Sequence, residues 1–209
     1  MTRPSRGTDA LLIEAGKQLL VEQGMAGFNL RAVARRAGVN LGMFQYHFKG
    51  KEDFYRRVRQ ALYDDFFRDF QLEVSQGEDS LESLRRGLVS LGRFSRDNRQ
   101  LACAMVREVV SGNARVLDFL KKSIPPHAVV LVKLVRRCQK EGRLQRVPLP
   151  VAMSFLAGGV AIPHLAMAVA QKAFPKGPFG WPLRRLEKTM LSDKAIAQRV
   201  AIALKGLAP

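Results

Sequence analysis

The sequence predicts an all-α fold in two parts, a three-helix N-terminal helix–turn–helix domain and a larger helical C-terminal domain. Three observations carry that prediction. Apolar residues recur at three- and four-residue spacing along nearly the whole chain. No stretch sustains the apolar–polar alternation of a half-buried strand between turn signals. Glycines and prolines break the pattern at intervals of about one helix.

Composition bounds the rest. At 209 residues and 47% hydrophobic, the chain is one domain or two small ones, with enough apolar mass for a core. Lys and Arg number 35 against 18 Asp and Glu, a net charge of +17 and a pI near 10.8. A chain this basic is drawn to polyanions. Residues 1–60 hold 11 Lys/Arg against 5 Asp/Glu and the remainder 24 against 13, so charge alone does not say which part binds what. Two cysteines, Cys103 and Cys138, are too few for a disulfide framework. The N-terminus has only Leu11-Leu12-Ile13 as an apolar run, short of a secretory h-region. The expectation is a soluble, cytoplasmic protein.

The elements follow in order. Thr8 can cap a first helix with Leu11, Leu12, Ala15 and Leu19 on its apolar face and Gly24 as its stop. Asn29 caps a second helix carrying Leu30, Val33, Ala34 and Ala37, which Gly38 ends. A third short helix runs from about Asn40 to His47, before Lys49-Gly50. From Lys51 to Gln76 there is no Gly or Pro, and Phe54, Val58, Leu62, Phe66, Phe70 and Val74 recur every four residues; that is one rod. Further helices are expected over Ser80–Ser95, Asn98–Ser111, Val116–Ser123 and Pro126–Glu141, with Gly142 as a stop. Val151–Ala170 has no formal charge but is diluted by six Ala, two Gly, Ser154, Pro163 and His164. It reads as a buried helix at a subunit interface, bent or broken at Pro163, rather than a membrane span. Residues 175–182, PKGPFGWP, read as a loop, and a last helix begins near Ser192 with Ile196, Val200, Ala203, Leu204 and Leu207 on one face.

The chemistry concentrates in residues 29–48, NLRAVARRAGVNLGMFQYHF. A short helix, a glycine-centred turn and a second short helix make a helix–turn–helix. Ala34 lets the two helices cross closely, and Gly38 takes a left-handed turn without a Cβ penalty. Val39 and Phe44 plug the interface, which leaves Asn40, Leu41, Met43, Gln45, Tyr46 and His47 on the outer rim or near the ends. A helix of this size fits the major groove, where side chains meet base edges. Arg31, Arg35, Arg36, Lys49 and Lys51 flank it and can hold phosphates, which set register.

Over its first 55 residues the chain resembles the DNA-binding domain of tetracycline-repressor (TetR) family regulators. The resemblance rests on Gly24, Asn29, Ala34-Arg35-Arg36-Ala37-Gly38-Val39, Asn40-x-Gly42, Phe44-Gln45-Tyr46-His47-Phe48 and Lys51-Glu52. It implies a DNA-binding domain over 1–50 and a ligand-binding and dimerisation domain over 51–209. The residues it sets at the DNA are Asn29, Arg31, Asn40, Leu41, Gly42, Met43, Gln45, Tyr46, His47, Lys49 and Lys51. The chain departs from the family pattern at three of them. Leu41 and Met43 stand where a polar residue and a threonine are usual, and both suit thymine methyls. Gln45 replaces a common phosphate-contacting tyrosine, and either pairs with adenine or takes a phosphate, with Tyr46 as the alternative phosphate contact.

The family likeness further implies a homodimer on a near-palindromic operator in double-stranded DNA, a nucleoid location, and no membrane partner. It implies a repressor released by a small-molecule effector, whose pocket among the middle helices would use Phe66, Phe70, Phe94, Cys103, Met105, Val109 and Phe155. Residue by residue, those seven suit an ordinary core equally well. The other reading is a DNA-bound structural or protein-partner-sensing protein of the same architecture. The three histidines lack metal-ligand spacing, no cofactor motif occurs, and no GxSxG, HExxH, P-loop or GxGxxG points to an enzyme.

Overall fold

The computed structural model describes residues 7–112 and 125–209; of Gln23–Gly27, Ala104, Met105 and Glu108 it describes the backbone. The helix expected over Val116–Ser123 lies outside the described residues. Those residues form ten α-helices: α1 (Thr8–Gly27), α2 (Leu30–Ala37), α3 (Gly42–His47), α4 (Lys51–Ser75), α5 (Ser80–Asp97), α6 (Arg99–Val110), α7 (Pro126–Lys140), α8 (Leu149–Ala173), α9 (Leu183–Leu191) and α10 (Asp193–Gly206). A single 3₁₀ turn, Pro178–Gly180, precedes α9, and no strand occurs among the described residues. The chain divides into two compact units at Phe66/Phe67, and α4 contributes to both.

In the first unit α1 packs on α2 and α3, and Leu12, Val33 and Val58 are fully buried. Phe54 of α4 sits at the centre of an aromatic cluster, 5.9 Å from Phe28, 5.0 Å from Phe44 and 4.7 Å from Phe48 between ring centroids. Gly16 of α1 allows this approach, because a Cβ there would lie 2.7 Å from Val58 and 3.0 Å from Phe54. The Lys17 ammonium pairs with Asp65 and Glu14, tying α1 to α4; burial is the largest single effect and lowers its pKa, but the two pairs together outweigh it and leave the pKa raised. α1 runs three residues past Gly24, the expected stop.

In the second unit α5 lies at the centre, packed on α7, α8 and α10. Gly92 marks its closest approach, where a Cβ would meet Ile196 Cγ2 at 2.6 Å. Asp79 caps α5 by accepting from the Glu82 amide at 2.8 Å. Ser192 caps α10 through the Ala195 amide. Gly142 takes its left-handed turn at φ 71°, and Leu144 beyond it is buried.

α8 departs from expectation, since Pro163 sits inside one continuous 25-residue helix. Proline has no N–H, so the carbonyl four residues back, Gly159 O, loses its helical donor. Arg199 of α10 supplies one: its Nε donates to Gly159 O at 3.2 Å, and its Nη1 donates to Met190 O. A guanidinium thus replaces the missing amide, and the helix continues. By length and composition α8 is apolar enough to cross a membrane, yet Leu156, Val160, His164, Met167 and Ala168 bury one side of it within this unit. α9 is a second departure. Leu183, Leu186 and Met190 give it helical spacing, but four charged residues and the preceding proline-rich loop hide the stripe.

Candidate nucleic-acid interface

The head is built by local chemistry. Asn29 is extended at φ −138° and its side chain accepts the Ala32 amide at 2.8 Å, satisfying a donor at the open end of α2. Gly38 closes α2 in the left-handed region, φ 66° and ψ 27°, and Val39 N–H returns to Ala34 O at 3.0 Å. Asn40 Oδ1 accepts the Gly42 amide at 2.9 Å, so α3 begins two residues later than its apolar pattern suggests. Phe44 buries its ring between Phe48 and Phe54, which fixes how α3 is rotated. Leu41, Gln45 and Tyr46 then face solvent, with Leu41 40% and Tyr46 70% exposed.

Leu41 and Gln45 form one wall of an open cleft of about 560 Å³, which Asn29, Leu30, Arg31 and Phe44 complete. Its floor is apolar and its rim polar. Arg31 of this cleft, and Arg35, Lys49 and Lys51 elsewhere on the head, are exposed and have no carboxylate partner among the described residues. Other charges nearby are compensated. Arg36 pairs with Glu22 at 2.8 Å, and Asp53 holds Arg56 and Arg57. The Arg56 hydrogen bond keeps the Asp53 carboxyl below the usual carboxylate range against a smaller opposing effect of burial. Arg57 also lies 5.4 Å over the Phe48 ring. The head therefore presents uncompensated cations and a partly apolar reading edge.

The expected contact residues divide by placement. Arg31, Leu41, Gln45, Tyr46, Lys49 and Lys51 are exposed on the head, and Met43 is half-buried. Asn29, Asn40 and Gly42 shape the backbone that presents them. His47 turns inward: it is half-buried, its Nε2 is enclosed without a hydrogen-bond partner among the described residues, and its ring packs 5.3 Å from Tyr46. Leu30 was legible only as part of a helical stripe, and its place in the cleft comes from how α2 and α3 cross.

A family model described as "Bacterial regulatory proteins, tetR family" matches residues 12–58, the span that builds this head. Residues 12–58 match the DNA-binding domain of the TetR family. Its curated relative, the "probable HTH-type transcriptional regulator YttP" of Bacillus subtilis (strain 168), is 20% identical over 156 residues, 74% of this chain and 75% of the relative. Among solved structures, the fatty acid degradation regulator FadR from Bacillus halodurans aligns at TM-score 0.63 and 16% identity, covering 99% of this chain and 98% of that one. The ketosteroid transcriptional regulator KstR2 of Mycobacterium tuberculosis aligns at TM-score 0.58 and 17% identity, covering 100% and 97%. At such identities these structures establish the fold. The matched family model and the curated relative are both transcription regulators.

Of the residues assigned to an effector pocket, Phe66 and Phe70 lie four positions apart on α4 and are both buried. Phe70 lies in a close-packed spot: a Cβ on Gly87 would meet it at 3.2 Å, Val74 at 3.0 Å and Leu131 at 3.4 Å. Phe94, Cys103 and Val109 are half-buried, and the Met105 side chain lies outside the described residues. Phe155 is half-exposed on α8, its ring against Gly206, on the face that also exposes Val151 and Ile162. Both cysteines are free; Cys138 is buried 3.4 Å from Ser80 Oγ, and burial pushes its thiol pKa up.

Proposed function

We propose that the protein is a homodimeric, sequence-specific repressor that binds a near-palindromic operator through α2 and α3 and is released by a small molecule acting on residues 51–209. One observation carries the DNA-binding half of this reading: the exposed Leu41, Gln45 and Tyr46 share the head with Arg31, Arg35, Lys49 and Lys51, which are exposed and have no carboxylate partner among the described residues. Cations in that arrangement contact phosphates while the edge meets bases. The dimer is supported by α8, which leaves Val151, Phe155, Ile162 and Val169 exposed on a helix without a charge between residues 151 and 170. A second copy would cover that stripe. Effector release is linkage: a ligand that prefers the DNA-incompetent state weakens DNA binding by the factor that DNA weakens the ligand. α4, shared by both units, is the segment that would carry the coupling.

The tight packing of Phe70 against Val74, Gly87 and Leu131 favours a second reading, in which a protein partner rather than a small molecule sets the DNA-binding state. An anisotropy titration tests the shared core of both. The full chain is titrated into labelled duplex from the region beside its own gene, against unrelated competitor DNA at two salt concentrations. A discrete complex that survives competitor and is lost in the Arg31→Ala/Tyr46→Ala variant is expected. Binding that ignores sequence and collapses with salt would reject it.

A further inference from the structure

The cleft between α2 and α3 says more than that DNA is bound. Leu41 and Gln45 are four residues apart, so they lie on one face of the α3 turn, and both line the same cleft. The apolar part of that cleft is Leu30, Leu41 and the buried Phe44; Gln45 and Arg31 form its polar rim. Three facts set the chemistry of what it can read. First, the Leu41 side chain offers no hydrogen bond, yet stands 40% exposed in a cleft that it shares with the exposed Arg31. In the major groove the one apolar group that the bases present is the thymine C5-methyl. Second, the Gln45 amide is exposed and no hydrogen bond engages it among the described residues, which leaves its carbonyl and NH₂ free for a bidentate contact to adenine N6 and N7. Third, Tyr46, 70% exposed one residue further on, offers a hydroxyl for a phosphate, so Gln45 is not needed there.

We propose that Leu41 and Gln45 together read an A·T step in each operator half-site, Leu41 by packing on a thymine methyl at the mouth of the α2–α3 cleft and Gln45 by pairing with an adenine edge. Arg31 and the lysines position the duplex; these two side chains select it. The proposal rests on the operator-binding reading above and adds the identity of the bases.

The test begins with selection of bound duplexes from a random-sequence pool by the full-length protein. The tightest duplex is then remade with deoxyuridine for each thymidine, which deletes only the methyl, and with 7-deaza-deoxyadenosine for each adenosine, which deletes only the N7 acceptor. Expected is a half-site with one thymine at which uracil weakens binding about fourfold, the worth of one buried methyl. At a neighbouring adenine, the deaza analogue should weaken binding about fivefold. Leu41→Ala should abolish the uracil effect and keep the deaza effect, and Gln45→Ala should do the reverse; circular dichroism of each variant checks that the head is folded. A selected half-site that binds equally well with every thymine replaced by uracil overturns the proposal while leaving operator binding intact. No sequence enrichment at all overturns both.

Discussion

The two units are held together in different ways. The first is small and aromatic: Phe28, Phe44, Phe48, Phe54 and Tyr55 close on one another, with the Lys17–Asp65 pair joining α1 to α4 beside them. The second is larger and mostly aliphatic, and it places charge among its buried contacts. His164 is wholly enclosed, with neither ring nitrogen hydrogen-bonded among the described residues, near Arg96, Arg99 and Arg199. Arg96 binds Asp193 and the Leu191 carbonyl, and Arg99 binds Glu187 at 2.6 Å. Aromatic packing and short-range caps thus fix the shape of the reading head. The second unit uses directional bonds, which can be changed by protonation or by competing groups.

The largest test of this contrast is Phe54→Ala. Removing a fully buried ring from the centre of the cluster should cost about 3–5 kcal/mol. DNA binding should vanish through loss of the head, while amide exchange in α5, α7 and α10 stays protected. Loss of protection in both units together would show that they fold as one.

Arg199→Met comes next, at about 3 kcal/mol, because it leaves Gly159 O and Met190 O without their donor. Pro163→Ala restores the amide that Gly159 O lacks, so part of the Arg199→Met cost should disappear in that background. A double-mutant cycle in chemical denaturation should give a coupling of about 1 kcal/mol. Zero coupling would mean that the guanidinium does not substitute for the missing amide.

Legibility in the sequence follows the same division. In the head the informative residues are neighbours: Asn29, Gly38 and Asn40 act within three or four positions, so spacing alone located α2, the turn and α3. The four-residue repeat from Phe54 to Val74 likewise located α4. In the second unit the decisive contacts are remote. Nothing local to Pro163 announces that Arg199, forty residues beyond Gly159, keeps α8 whole. The exposed side of α8 and the enclosure of His164 depend on which helices pack against α8, and spacing does not encode that choice. The site was legible as a surface, but the shared cleft of Leu41 and Gln45 required the crossing of two helices.

His164 supplies a pH test. Burial, reinforced by Arg199, Arg96 and Arg99, lowers its pKa from 6.5 to about 4. Protonation therefore favours the unfolded chain, and the stability due to neutral His164 is complete above pH 6.5 and lost as pH falls toward 4. The loss should approach about 2–3 kcal/mol. His164→Leu should flatten that part of the stability curve relative to the parent, as measured by denaturant unfolding at pH 7, 5.5 and 4.5. Parallel curves for the two proteins would place a protonated or solvated imidazole in the fold.

The smallest effect separates backbone conformation from packing in the head. Gly38 has open space where a Cβ would sit, so a substitution there meets no neighbour, and only its left-handed φ of 66° is penalised. Gly38→Ala should cost about 1 kcal/mol, and Gly38→Asn less, because asparagine tolerates this region. Because the same turn aims α3, operator affinity should fall in the order Gly, Asn, Ala, in step with stability. An alanine variant as stable as the parent would mean that the turn relaxes to another conformation. If its affinity also survived, the orientation of Leu41 and Gln45 would be set by the Phe44–Phe54 contact alone rather than by the turn before them.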